Sequence, residues 1–410
     1  MRYSYSRIKK NEKELGTPFY VLYLERFIQN YNDFLGAFKK IYNNTVLAYS
    51  YKTNYIPDLC KAINGLGAYA EVVSDMEYEL ALRIGVDPKK IIFNGPLKEY
   101  QIIETALLNE SLLHLDSFYE ISILKELTNK YIDKHFNVGI RCSFQYDNNV
   151  EQSRFGFDKE NGSFEKALRE IRKLKNVSVN GLHCHFIASG KSTQAYNKII
   201  NNMLQLYKRY FLDSTIKYLD IGGGFFSRMP LSLQKQFDYP VPNYEDYAHA
   251  IASELKKFFS GIKNKPVLIL EPGIALAADT MDFVAKVIDV KKVKGKTLAL
   301  VNGSIYNVKP TMNTKNLPMK IVSRRINKSK RKHFDIVGYS CMENDYLYLG
   351  YWGHLSKGDY IIFNNVGAYT VVLKPPFIKP SPPIVRFKKG KYKLIRREET
   401  FEDIFLTYEI

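Results

Sequence analysis

Apolar and polar positions along the chain fall into two regimes. From about residue 20 to 278, short runs of β-branched and aromatic residues alternate with stretches where apolar side chains recur every three or four positions. Those are the spacings of a buried strand and of an amphipathic helix. After a strand at 20–23 and a helix at 24–41, the strand runs are 46–51, 69–73, 90–93, 112–115, 137–142, 178–185, 216–221 and 266–271. Helical patterns separate them at 56–63, 75–84, 98–108, 118–131, 164–174, 193–209 and 244–259. The last has Asn243 in the N-cap position and Asp246 three residues on, a capping-box start. Eight strands joined by helical crossovers predict a parallel sheet, and the count favours a closed (β/α)8 barrel over an open doubly wound sheet. Groups at the C-terminal ends of the strands then form the active site.

Beyond residue 279 the pattern changes to strand runs at 283–288, 297–301, 359–363, 369–373 and 392–395 without long helices between them. This predicts a separate all-β domain, with Lys374-Pro375-Pro376 ending the run at 369–373 because proline cannot donate to a ladder. The expected organisation is therefore α/β: a barrel over 20–278, and a β-sandwich- or barrel-like domain over 279–410 with residues 1–19.

Composition narrows the class. With 410 residues, 45% hydrophobic and 14% aromatic, the chain is globular and large enough for two domains. Cys60, Cys142, Cys184 and Cys341 are scattered without CxxC spacing, which argues against a disulfide framework or a zinc knuckle and for a reducing cytosol. No apolar run reaches transmembrane length and the N-terminus lacks a signal-peptide core, so neither membrane nor export is expected and the cytoplasm is the expected location. The net charge of +18 attracts polyanions, yet no nucleic-acid motif accompanies it. It reads first as a solvated basic surface and second as a preference for an anionic partner or substrate.

Candidate chemistry gathers at the predicted strand ends. Ala48-Tyr49-Ser50-Tyr51-Lys52 closes the first barrel strand on a lysine. Such an ammonium is either solvated or tuned for imine formation. Gly222-Gly223-Gly224 closes the seventh, where backbone N–H groups can cradle an anion, although a tight turn without a ligand has the same sequence. Glu271 emerges from the apolar run of the eighth strand and needs a cationic partner. His183-Cys184-His185 puts two imidazoles on one strand face. No third metal ligand stands at useful spacing, so no metal is expected, and an imidazole packed on a flat ligand or a satisfied core histidine is favoured. A lysine, an anion nest, a carboxylate and a histidine on one rim describe a pyridoxal phosphate pocket.

With those motifs the whole chain resembles the fold-type III pyridoxal-phosphate-dependent decarboxylases, which include diaminopimelate, ornithine and arginine decarboxylases. Glu71-Val72-Val73-Ser74 with Glu77, Arg141, Ser153-Arg154-Phe155-Gly156, Glu271-Pro272-Gly273, Cys341 with Asp345, and Gly367-Ala368-Tyr369 extend the match in order. The resemblance implies an alanine-racemase-like barrel with a β domain completed by the N-terminus. It implies Lys52 as the residue carrying pyridoxal 5'-phosphate, Glu271 facing the ring nitrogen and His185 stacked on the ring. Glu71, Arg141 and Gly273 line the pocket, and Gly223, Gly224 and Tyr369 hold the phosphate. It further implies a homodimer with composite active sites, in which the partner subunit's Cys341 and the partner subunit's Tyr369 complete the pocket and Cys341 is the proton donor.

The chain also departs from the diaminopimelate decarboxylase pattern. Ile274 stands where those sequences resemble Glu-Pro-Gly-Arg, Lys309-Pro310-Thr311-Met312-Asn313 replaces an Arg-Pro-x-x-Tyr element, and Met342 replaces the acid after the cysteine, ahead of Glu343. His185-Phe186-Ile187-Ala188 replaces His-Ile-Gly-Ser, with Ser189 as a substitute hydroxyl. Losing a buried bidentate guanidinium costs on the order of 2–3 kcal/mol. The expected activity is thus decarboxylation of an amino acid or amino-acid conjugate other than meso-diaminopimelate, small or carrier-tethered and acidic. A racemase or epimerase on the same barrel is the alternative, needing a second base opposite Lys52, and a non-catalytic pyridoxal phosphate binder is a third reading.

Overall fold

The computed structural model describes residues 3–145, 153–185, 191–212, 216–324, 330–373 and 376–409. It divides into two compact units, one of Ile28–Phe226 with Tyr239–Leu276, the other of Met1–Phe27, Ser227–Asp238 and Ala277–Ile410.

The first unit is a closed barrel of eight parallel strands: Thr45–Ser50, Tyr69–Val72, Ile91–Phe93, Leu112–Leu115, Phe136–Ser143, Val177–His183, Tyr218–Asp220 and Val267–Leu270. Each pairs in parallel with the next, and the last closes on the first through Leu268↔Thr45 and Leu270↔Leu47. The two-residue strand Phe157–Asp158 extends the edge of the fifth. Helices start where the sequence offers caps: Ser74, Ser117 and Ser192 each accept the backbone N–H three residues on, and Asn243 with Asp246 completes a capping box. Inside the barrel, Ala48, Ile92, Tyr218 and Ile269 form a packed layer. Tyr218 fits because the neighbouring strand carries Gly181, where a Cβ would lie 2.0 Å from the tyrosine ring.

The second unit is a mixed sheet in the order Tyr346–Gly353, Lys332–Val337, Lys296–Val301, Met281–Val293, Phe19–Leu22, Ile384–Lys388, Lys391–Arg396, with Tyr360–Phe363 and Met319–Val322 attached to it. Phe19–Leu22, of which residues 20–22 fall inside the segment assigned to the barrel from sequence, lies here, antiparallel to Met281–Val293 and parallel to Ile384–Lys388. The N-terminus thus completes this sheet. It also supplies the helix Tyr5–Leu15 and a buried polar cluster, in which Tyr3 and Tyr23 donate to Asp282 Oδ2 at 2.8 and 2.7 Å.

One expected strand is absent. Residues 369–373 form a turn in which Leu373 N–H donates to Tyr369 C=O at 3.0 Å. Tyr369 has φ +64° and Asn365 φ +60°, left-handed conformations that break a ladder. Among the described residues no helix is long and apolar enough to cross a membrane.

Candidate active site

Lys52 sits just past the first barrel strand, in a single helical turn Tyr51–Thr53. Its Nζ donates to both oxygens of Glu71, at 2.5 and 2.6 Å. Glu71 is buried on the adjacent strand and also accepts from Ser50 Oγ. The Lys52 side chain is a third exposed, but its ammonium is oriented by a fully buried carboxylate rather than reaching freely into water.

Glu271 follows the eighth strand and is buried. Instead of the expected cation, Asn94 Nδ2 donates to its Oε1 at 2.5 Å, and His183 Nε2 and His185 Nδ1 stand 3.8 and 3.7 Å from its Oε2. Burial raises the Glu271 carboxyl, while Lys52, Asp220, Arg141 and Asn94 pull it down.

The glycine turn after the seventh strand is locked to both groups. Gly222 and Gly224 have φ +70° and +92°, and a Cβ on Gly223 would lie 2.3 Å from the Glu271 carbonyl oxygen. Gly223 N–H donates to His185 Nδ1 at 2.9 Å, which makes Nδ1 an acceptor and leaves any ring proton on Nε2. Burial, then Lys52 and Arg141, push His185 down to about 3, so it is neutral at physiological pH. Arg141 Nη2 donates to the His185 carbonyl at 3.3 Å, and its Nε lies 3.7 Å from Asp116 Oδ1. A Cβ on Gly273 would meet Thr53 Oγ1 at 1.9 Å, which holds the turn after Glu271 against the turn bearing Lys52.

The barrel unit thus brings together Lys52, Glu71, Arg141, His185, Gly223, Gly224, Glu271 and Gly273 at the C-terminal ends of its strands. Ile274, half-buried, begins the short helix Ile274–Ala277. Cys341, Met342, Glu343, Tyr369, Lys309 and Asn313 belong to the other unit. Cys341 and Glu343 are exposed in a loop whose buried Asp345 accepts the N–H groups of Ile305 and Ser340 at 2.7 and 3.0 Å. Tyr306 OH donates to Met342 Sδ at 3.3 Å. Lys309 is buried and its Nζ donates to the Lys315 carbonyl at 2.7 Å. It therefore does not present a cation in place of the missing arginine. Asn313 is exposed, and the segment 186–189 lies outside the described residues.

Sequence reasoning missed Asn94, which sits one residue past its strand and reads as an ordinary turn signal. It also missed a buried cluster. His114 stacks on His183 at 4.6 Å, and one atom from each of His114, His183, Asp220 and Glu271 lies within 4.8 Å of the others. The third and fourth polar groups near His183 come from other strands, where linear spacing does not reveal them.

The residues present suit pyridoxal phosphate. An amine stands at a strand end, the glycine turn keeps the Gly224 N–H for an anion while Gly222 and Gly223 donate to Asp220 and His185, and buried Glu271 Oε2 has no hydrogen-bond donor among the described residues. That free acceptor suits a protonated ring nitrogen.

Residues 26–278 match the family model for the pyridoxal-dependent decarboxylases, pyridoxal binding domain. The chain belongs to that family and is a pyridoxal-phosphate-dependent carboxy-lyase. It is 27% identical over 410 residues to the diaminopimelate decarboxylase of Aquifex aeolicus (strain VF5), covering 97% of this chain and 93% of that one. It is also 27% identical over 423 residues to the diaminopimelate decarboxylase of Methanocaldococcus jannaschii, covering 98% and 92%. The crystal structure of the M. jannaschii diaminopimelate decarboxylase in co-complex with L-lysine superposes with a TM-score of 0.85 at 25% identity, covering 98% and 94%.

These relatives overturn the expectation of a substrate other than meso-diaminopimelate. That expectation summed group losses at Ile274, Lys309, Asn313 and Met342 taken singly. Distal recognition is a property of the assembled pocket, which differences at isolated positions do not define.

Proposed function

We propose that this protein decarboxylates meso-diaminopimelate to lysine, as a cytoplasmic homodimer, with Lys52 carrying the cofactor. The observation that carries the reading is the convergence of Lys52, Glu71, His185, Glu271 and the glycine turn on one barrel rim, in a chain similar over nearly its full length to diaminopimelate decarboxylases. When bound, pyridoxal phosphate supplies an electron sink for the pair left behind as CO2 departs.

The chain's own groups do the rest. The Glu71 carboxylate holds Lys52 Nζ and receives its proton as the amine becomes a nucleophile. Glu271 would offer an anionic acceptor to the ring nitrogen, which favours its protonated form. His185, neutral and fixed by Gly223 N–H, would offer the cofactor ring a flat, uncharged face. The Gly224 N–H, with the partner subunit's Tyr369, would hold the phosphate beside Gly223, whose own N–H is committed to His185, and Arg141 lines the pocket. The partner subunit's Cys341 returns a proton to Cα. The partner subunit's Glu343, the only acid among the five substrate positions, answers the distal ammonium, while Ile274, Lys309, Asn313 and Met342 shape that end of the pocket.

The test is CO2 release by the purified protein from meso-diaminopimelate, ornithine, arginine and lysine in parallel. Turnover of meso-diaminopimelate to lysine, at a kcat/KM at least about a hundredfold above the others, is expected, since the distal groups must be bound as a pair. CO2 from ornithine or arginine but not from meso-diaminopimelate would overturn the substrate assignment.

A further inference from the structure

Five polar atoms in the barrel interior are buried without a hydrogen-bond partner among the described residues: His114 Nδ1, His183 Nδ1 and Nε2, Asp220 Oδ2 and Glu271 Oε2. Two of them are oxygens of carboxyl groups, and both carboxyl groups are buried. Two ionised carboxylates this close in a low-dielectric interior repel strongly, and each would also leave an oxygen without a donor. A proton is the missing element.

We propose that Asp220 is a positioning residue that retains its carboxyl proton and shares it with Glu271, fixing Glu271 as the ionised acceptor for the cofactor's ring nitrogen. The inference rests on the cofactor reading above.

The donor is found by elimination. His185 Nδ1 stands 3.7 Å from Glu271 Oε2, but its lone pair is already occupied by Gly223 N–H, so it has no proton to give. Asn94 is spent on Glu271 Oε1. Lys52 is held by Glu71. His183 Nε2 is 3.8 Å away, beyond hydrogen-bond reach, and its ring is stacked on His114. Asp220 remains: one of its carboxylate oxygens lies in the same cluster within 4.8 Å, its Oδ2 has no donor among the described residues, and its side chain is within hydrogen-bonding contact of Glu271. Its other oxygen is fixed, since Gly222 N–H donates to Oδ1 at 2.9 Å. Asp220 therefore ties the anion-binding turn to the group that answers the ring.

The charges around the pair decide which carboxyl keeps the proton. Burial and then Glu271 hold the Asp220 carboxyl well above the carboxylate range. Glu271 is likewise raised by burial, but Lys52 and Arg141 favour its ionised form. His114 and His183 are buried neutral and add no charge to the pair. Glu71 carries the remaining negative charge nearby and disfavours ionisation of Asp220 further. Each carboxylate oxygen has two lone pairs, so Glu271 Oε2 can accept from Asp220 and still accept from a ring nitrogen.

The test uses the holoenzyme and its infrared difference spectrum, wild type minus Asp220→Asn, in H2O and D2O. A deuterium-sensitive protonated-carboxyl band is expected at neutral pH, absent in Asp220→Asn and shifted in Glu271→Gln. A role confined to holding Gly222 would produce no such band. Asp220→Asn keeps an N–H toward Glu271 and an oxygen for Gly222, so it should hold the cofactor. Asp220→Val has neither, and its cofactor affinity should fall about tenfold or more. The proposal is overturned if only ionised carboxylate bands appear, if Asp220→Asn loses the cofactor as badly as Asp220→Val, or if the purified wild type holds a stoichiometric divalent cation, which would take the proton's place among the same four groups. Wild type without bound cofactor would refute the parent reading. Wild type with cofactor but an ionised Asp220 would refute this inference alone.

Discussion

Burial pushes the Glu77 carboxyl up to about 7, against the pull of the Val73 N–H, which donates to its Oε2 at 2.8 Å, and of Lys52. In an unfolded chain the same carboxyl titrates near its ordinary value. Below that value both states are protonated and the group costs nothing. As pH rises through the window from 4.5 to about 7, the unfolded chain ionises first and the fold loses up to about 3 kcal/mol. Glu77→Gln keeps an oxygen for Val73 and cannot ionise. Urea denaturation should find it about 1–3 kcal/mol more stable than wild type at pH 8 and equal to it at pH 4. An equal gap at both pH values would contradict this. At this scale the sequence revealed the groups that stand at strand ends: Lys52, His185, Glu271 and the three glycines. It hid Asn94 and Asp220, because their meaning comes from contacts across the barrel. Asn94 meets Glu271 177 residues away along the chain. The substrate reading failed for the same reason: it weighed Ile274, Lys309 and Met342 without their neighbours, and the ammonium of Lys309 turns out to serve a backbone carbonyl.

Among the elements, the barrel strands were legible to within one or two residues, because a buried parallel strand is a continuous apolar run and its crossover helix has a clear period. The β unit was less so. Tyr5–Leu15 buries only Ile8 and Asn11, too little apolar surface to mark a helix. Met319–Val322, Lys332–Val337 and Tyr346–Gly353 have few buried positions and carry lysines or tyrosines among the others, so no continuous apolar run marks them. The run at 369–373 is apolar enough for a strand, yet a left-handed Tyr369 turns it. The barrel's tightest constraint is the pairing of small with large across strands. Gly181→Ala would drive a methyl into the Tyr218 ring, and Gly139 faces Tyr218 OH and His114 in the same way. Thermal denaturation should show Gly181→Ala destabilised by about 1–3 kcal/mol, with partial recovery in Gly181→Ala/Tyr218→Leu. No loss in the single variant would mean that the interior is less tightly packed than described.

At the level of the whole molecule, the net charge of +18 resides almost entirely in the β unit, while the barrel unit is close to neutral. Composition alone could not show that segregation. Assembly leaves no mark in the pattern of residues, and the composite site is tested by complementation. Lys52→Ala and Cys341→Ala homodimers should each be inactive. After mixing under conditions that exchange subunits, heterodimers with one intact site should release CO2. No recovery, with exchange verified by native mass spectrometry, would place each site within a single chain. All of these expectations depend on where the cofactor is attached. Borohydride reduction of the holoenzyme, followed by peptide mapping, reads that directly. The account predicts a stoichiometric pyridoxyl adduct on Lys52, absent in Lys52→Ala, and an adduct on another lysine, or none on a cofactor-saturated protein, would contradict it.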